Sequence, residues 1–290
     1  MKTKIILLIL ISSLQTLYGQ DAKYGTAWFG PNANPVPEFT DARIPAHTRL
    51  SMMGDAYFGY GDETQNGYFK LEIPLVPERV SFKIWSTILE NYQVTDALSA
   101  KRGMKNGNTI GKANGDLYVQ TRISLLKETK NAPAIILNST LKTASGTNFL
   151  ERRYFDTPGY YFDVEIGKSI HTKGKFINEI RGVINGGFMC WETTNSRQND
   201  APMYGGKIII GNAKWKMENS VSGYWGWMHT SQYYGADYGD APMVVASKIS
   251  ILRKEIDYFA QYQYGINDFP YQQMRVGVSV PIEKLTPKYK

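Results

Sequence analysis

Between residues 115 and 143, Leu117, Val119, Ile123 and Leu125 alternate with Tyr118, Gln120, Arg122 and Ser124. After Glu-Thr-Lys-Asn the alternation resumes, with Ile135, Leu137 and Leu141 set against Asn138, Thr140 and Lys142. Side chains of a strand point to opposite faces in turn, so this pattern predicts a hairpin with one apolar face. The same period recurs near 48–60, 66–75, 79–89, 159–169, 176–189, 203–211, 214–228, 241–252, 255–265 and 271–282, which makes twelve strands in all.

Alternation alone fits a soluble sandwich as well as a barrel in lipid. The connections separate the two. Links after even-numbered strands are short ("PER", "ETKN", "HTKGK", "GNA", "RK"), whereas four of those after odd-numbered strands are long, near 90–114, 144–158, 190–202 and 229–240. In a meander of hairpins all links of one class lie at one end, which is the pattern of an outer-membrane barrel. Phe58 with Tyr60, Trp225 with Trp227, and Tyr262 with Tyr264 are expected on the apolar face near the long-loop ends, where rings sit at headgroup level.

The N-terminus agrees. Lys2 and Lys4 precede an apolar run from Ile5 to Ile11 and a polar stretch ending at Gly19, the layout of a secretory signal over residues 1–19. That run is far shorter than the ~20 residues a membrane-spanning helix needs. Cleavage removes two lysines and no acid, so the formal charge falls from +7 to +5, and no basic run resembles a nucleic-acid footprint. Cys190 is the only cysteine, which excludes a disulfide framework, and His47 and His171 form no metal constellation.

The succession "GDLYVQTRISLLKE", Pro133, "AIILNSTLKTASG" and "GYYFDVEIGKSI" is similar to the outer-membrane β-barrels grouped as meta-pathway phenol degradation-like proteins, over about residues 48–282. The resemblance implies a channel or transport role and carries no catalytic residues. One departure concerns the last strand, which many such barrels close with an aromatic residue: here "EKLTPKYK" follows Ile282, with Tyr289 as the candidate aromatic.

On this parity the inner wall carries Arg49, Lys70, Lys83, Arg122, Lys142, Lys168, Arg181, Lys248 and Arg275 together with Asp55, Glu72, Asp163, Glu165, Glu179, Glu255 and Asp257. Unpaired buried charge is costly, so the expected arrangement sets Arg122 and Lys142 near Asp163 and Glu165. Arg122, Lys142, Asp163, Glu165 and Arg181 are the candidate lumen residues, either bracing a narrow barrel or forming a constriction that binds a polar or amphipathic solute. Residues 20–47 hold Pro31, Pro35, Pro37 and Pro45 without alternation, and are expected to form an irregular arm that plugs the lumen or lies in the periplasm.

Two other functions remain open. His229 and Ser231 stand two apart and so face one side of a strand, resembling the His-x-Ser pair of outer-membrane phospholipases and lipid A deacylases, in which imidazole activates the hydroxyl for acyl transfer. Only Asp237 and Asp240 are near enough in sequence to orient that histidine. A secreted β-sandwich that binds glycans through its 20 Tyr and 6 Trp is the other. The reading adopted is all-β: a signal peptide at 1–19, an arm at 20–47 and an up-and-down transmembrane barrel of about twelve strands at 48–290. It sits in the outer membrane of a diderm bacterium, put there by the outer-membrane assembly machinery. It contacts lipid, passes a small solute, and needs no cofactor, metal or nucleic acid.

Overall fold

The computed structural model describes residues 25–105, 107–193, 196–197, 200–226 and 238–288. Twelve long strands form one continuous antiparallel sheet: β1 (Arg49–Phe58), β2 (Asp62–Val76), β3 (Val80–Val94), β4 (Leu117–Leu126), β5 (Ala134–Lys142), β6 (Gly159–His171), β7 (Glu179–Thr193), β8 (Ala201–Gly211), β9 (Trp215–Tyr224), β10 (Met243–Arg253), β11 (Ile256–Asn267) and β12 (Gln272–Pro281). Each pairs with its neighbours in sequence, and β12 returns to β1 in unbroken register from Arg49 opposite Pro281 to Phe58 opposite Gln272. The ring is closed, and among the described residues no second sheet packs against it, so the sandwich is excluded. Closure also removes the unpaired edges that an open sheet would expose.

The alternation separates two surfaces. Outward side chains are apolar and strongly exposed: Met52, Ile184, Met274 and Val276 lie between 57% and 61% accessible. Inward positions are buried and polar, among them Asp55, Lys83, Arg122, Asn138, Glu165, Arg181 and Arg275. A contiguous apolar belt around a whole molecule exceeds what a soluble surface tolerates, and hydrocarbon is the solvent that suits it.

Three residues depart from the expected parity. Lys168 pairs across the sheet with outward Gly182 and therefore lies on the lipid side. Its ammonium donates to the carbonyls of Lys130 and Ala132, at 3.0 and 3.1 Å, in the neighbouring short turn. A long cationic stem on the apolar face thus carries its charge to the barrel rim. Tyr60, expected outside, turns inward because its backbone is left-handed (φ 56°) in the tight β1–β2 link, and its ring meets that of Tyr271 edge-on. Glu255 is exposed in the two-residue β10–β11 turn (φ 68°) rather than on the lumen wall. Trp227 and Tyr289 lie outside the described residues.

Short and long connections alternate around the ring, so the barrel has a short-turn end and a long-loop end. The longest described link, residues 95–116, contains a helix that alternation could not announce, α1 (Asp96–Arg102). Thr95 caps it by accepting from the Leu98 amide at 3.4 Å, and Gly103 ends it in the left-handed conformation (φ 59°, ψ 47°) that glycine adopts without penalty.

Candidate functional site

The lumen holds chain. From Thr48, hydrogen-bonded to Leu285 at the short-turn end, the segment back to Thr26 runs through the ring and meets the long loops at the other end. Apolar residues set its path: Phe39, Ala42 and Ile44 pack on the inward Ala134, Ile136 and Val183, and Phe29 and Ala33 pack on Phe155. Two inward wall glycines make the groove. A Cβ on Gly205 would lie 2.5 Å from the Phe39 ring, and one on Gly167 would lie 2.8 Å from the Ala42 Cβ, so any side chain there would displace the segment.

Polar contacts fasten the segment at three heights. Near the short-turn end, Arg181 donates to the carbonyls of Asp41 (2.6 Å) and Ala42 (3.3 Å) and to Ser169 (2.8 Å), and also binds Glu128. Arg43 reaches the Glu179 carboxylate beside it. At mid-height Glu165 accepts from the Thr40 amide (2.7 Å), the Thr40 hydroxyl (2.6 Å) and the Ala42 amide (3.1 Å). Arg122 completes this latch, bound to Glu72 at 2.6 Å and to Glu165 at 3.4 Å and donating to the Thr40 hydroxyl. One step higher, Glu38 bridges Arg275 (2.6 Å) and Lys70 (3.2 Å) while half exposed to the water space inside the barrel.

At the long-loop end four fully buried charges close the ring. Asp62 takes Arg102 at 2.6 Å and Arg153 at 2.8 Å, and Glu90 takes Arg153 at 2.6 Å. The same groups hold the inner segment: Asn32 donates to Glu90 at 2.6 Å, Arg102 to the Ala27 carbonyl at 3.2 Å, and the Tyr271 hydroxyl to the Phe29 carbonyl at 2.6 Å. Ions taken from water survive only when paired this completely. No pattern in the chain singled out these four, because Arg102 lies in helix α1 and Arg153 in a loop, both outside any alternation; the Arg152-Arg153 doublet, the only cations between β5 and β6, was the visible sign.

Of the five candidate residues, Arg122, Glu165 and Arg181 converge on the inner segment. Lys142 does not join them: it pairs with Asp116 at 2.9 Å and donates to the Thr157 carbonyl at 3.0 Å, because its place at the end of β5 puts it beside the long loops. Among the described residues Asp163 makes no ion pair either; the amides of Asn138 and Asn185 donate to it at 2.8 and 2.5 Å. The hairpin turn after β4 contributes Glu128, also outside the expected set. Burial opposes its ionisation, but the Arg181 hydrogen bond, the Ser169 amide and the charges of Arg181 and Arg43 outweigh that and hold its carboxyl below the usual carboxylate range. His229, Ser231 and Asp237 lie outside the described residues, and among those described no three His, Cys, Asp or Glu side chains group as a metal site.

What the segment leaves open is a cavity of about 570 Å³ between it and the β8–β12 side of the wall, lined by polar positions such as Ser220, Ser222, Lys248, Gln261 and Gln263. A second, smaller cavity of about 80 Å³ lies higher, between Pro35, Pro37 and an aromatic part of the wall.

No family model matches this sequence, and no curated protein does. Among solved structures the chain resembles an outer membrane channel from Pseudomonas putida F1, at 10% identity and a TM-score of 0.56, over 85% of this chain and 100% of that one. A weaker likeness, with 11% identity and a TM-score of 0.48, links 80% of this chain to 100% of the NanC porin. At 10% identity it is the fold alone that is shared with the channel.

Proposed function

We propose that the protein is an outer-membrane channel or passive transporter for a small polar or amphipathic solute, kept closed by its own N-terminal arm. The observation that carries this reading is a charged lumen, enclosed by an apolar-sided ring, through which residues 26–48 are threaded and fastened side by side with an open polar cavity of about 570 Å³. A soluble binding protein has no use for the apolar belt, and a purely structural barrel has no use for a wall carved with Gly167 and Gly205 to accept a removable strand of chain. In this reading the signal at 1–19 is cleaved, the assembly machinery inserts the barrel with its short turns in the periplasm, and the arm is the gate. The resemblance to the meta-pathway phenol degradation-like barrels fits this role.

Planar-bilayer recording tests it. The refolded mature protein is expected to conduct in brief openings, and deletion of residues 25–44 is expected to give a larger, steadier current. Absence of current from both forms, each shown to be folded by its heat-dependent shift in gel mobility, would refute the channel.

A further inference from the structure

The smaller cavity carries a feature that closing the barrel does not use. Its wall is aromatic: Trp85 and Tyr118 stack with centroids 5.1 Å apart, and Trp191 meets Tyr118 and Tyr161 edge-on. Into this surface the fold places Lys83, only 4% exposed, its ammonium 4.9 Å over the Trp85 ring. Every other cation lining the cavity has a carboxylate: Glu38 binds both Lys70 and Arg275. Lys83 makes no ion pair or hydrogen bond among the described residues; Glu72 and Glu165 are near, but Arg122 already holds both. Tyr118, 7% exposed and lining the same cavity, likewise has a hydroxyl with no partner. A buried hydroxyl without an acceptor is costly, and it and the unpaired ammonium both line an open space.

We infer that this cavity binds a small organic acid, whose carboxylate pairs with Lys83 and accepts from the Tyr118 hydroxyl while its apolar body lies among the rings. Size agrees. Since about 10–15 Å³ suffices to hold one water, the volume of about 80 Å³ takes roughly six, or an acid of about as many non-hydrogen atoms. Because Pro35 and Pro37 of the arm form one side, the acid contacts the gate itself. The inference rests on the channel reading and names its solute class.

Butyrate is the probe, titrated by saturation-transfer NMR against the full mature chain in detergent, where binding is read without any need for conduction. Saturable binding is expected, at least tenfold tighter than that of n-butanol or butylammonium. Lys83→Met should weaken it at least tenfold. Tyr118→Phe, which removes one oxygen and leaves packing intact, should weaken it about threefold or more. Equal binding of butyrate and n-butanol, or unchanged binding in both variants, overturns the site. Butyrate binding by a protein that never conducts would sink the channel and leave the site standing.

Discussion

Replacing Glu165 with Gln should unlatch the arm. In the native lumen one carboxylate takes three donors from Thr40 and Ala42, two of them backbone amides. A carboxamide presents one oxygen and one NH2. If the NH2 replaces the oxygen facing the Thr40 amide, one contact is lost; if it replaces the other, two are lost. Hydrogen bonds to a charged group contribute about 1.5–3 kcal/mol each, so the latch weakens by about 2–4 kcal/mol after partial relaxation. Each 1.4 kcal/mol is tenfold, which puts the rise in the released fraction at roughly 30- to 1,000-fold. Arg122 keeps Glu72, so the variant strands no wall charge without a partner. The assay uses Val36→Cys, 8% exposed in the arm, with Cys190 changed to Ser, and follows maleimide labelling in detergent under conditions where the rate tracks the open fraction. A change of less than threefold on adding Glu165→Gln would mean that this carboxylate does not hold the arm.

Gly205→Val, by driving a side chain into the Phe39 ring, should raise the same labelling at least tenfold, and an unchanged rate would show that the ring has another seat. Val276→Arg places a charge on the outward face and should block assembly at a cost of about 2–4 kcal/mol, whereas inward Gln261→Arg should fold, as scored by heat-modifiable gel mobility. Glu128 titrates lower when docked than when free, so its grip on Arg181 is complete above the ordinary glutamate pKa of about 4.3 and is lost as pH falls through the lowered value. The thermal midpoint should therefore decline in that acid range in the native protein, and less steeply in Glu128→Gln; parallel curves would remove Glu128 from the account.

The ring was legible because period two is a direct record of a surface divided between lipid and lumen. Leu117, Val119 and Ile123 are half of that record and Tyr118, Gln120 and Arg122 the other half, and all six lie where the alternation puts them. The exceptions come from residues whose backbone or stem escapes the pleat: Tyr60 on a left-handed turn, and Lys168 reaching a rim that a strand pattern does not show. Helix α1 hid behind its brevity, although Thr95 and Gly103 frame it in sequence. The arm's route was unreadable for a different reason. Many of its contacts join residues far apart in sequence, as Thr40 with Glu165 or Glu38 with Arg275, and they mix backbone and side-chain partners, which leaves no periodic trace.

The distribution of these contacts tells where a solute would pass. Charges of both signs lining a lumen suggest a filter, yet Arg122, Glu165, Arg181, Glu38 and Arg275 each take an arm group or hold a residue that does. Their charges are neutralised locally and change little for a passing ion while the arm is seated. Elsewhere, on β9–β11, serines and glutamines such as Ser220, Ser222, Gln261 and Gln263 line the cavity beside Lys248, which shares Glu218 with Lys207 at 3.5 and 3.4 Å. Serine and glutamine side chains exchange hydrogen bonds with water or solute at little net cost, which is what a path requires and a latch cannot tolerate. The polar latches of the arm thus sit on other strands, Arg275 of β12 and Lys207 of β8 among them, while the serines and glutamines of β9–β11 face the open cavity. In the proposed channel the arm has to leave both the mid-height latch and the long-loop end, where Arg102, Arg153, Asp62 and Glu90 close the ring above the cavity. Those four charges pair with one another, so what the arm gives up on leaving is its hydrogen bonds there, from Asn32 to Glu90 and from Arg102 and Tyr271 to the carbonyls of Ala27 and Phe29.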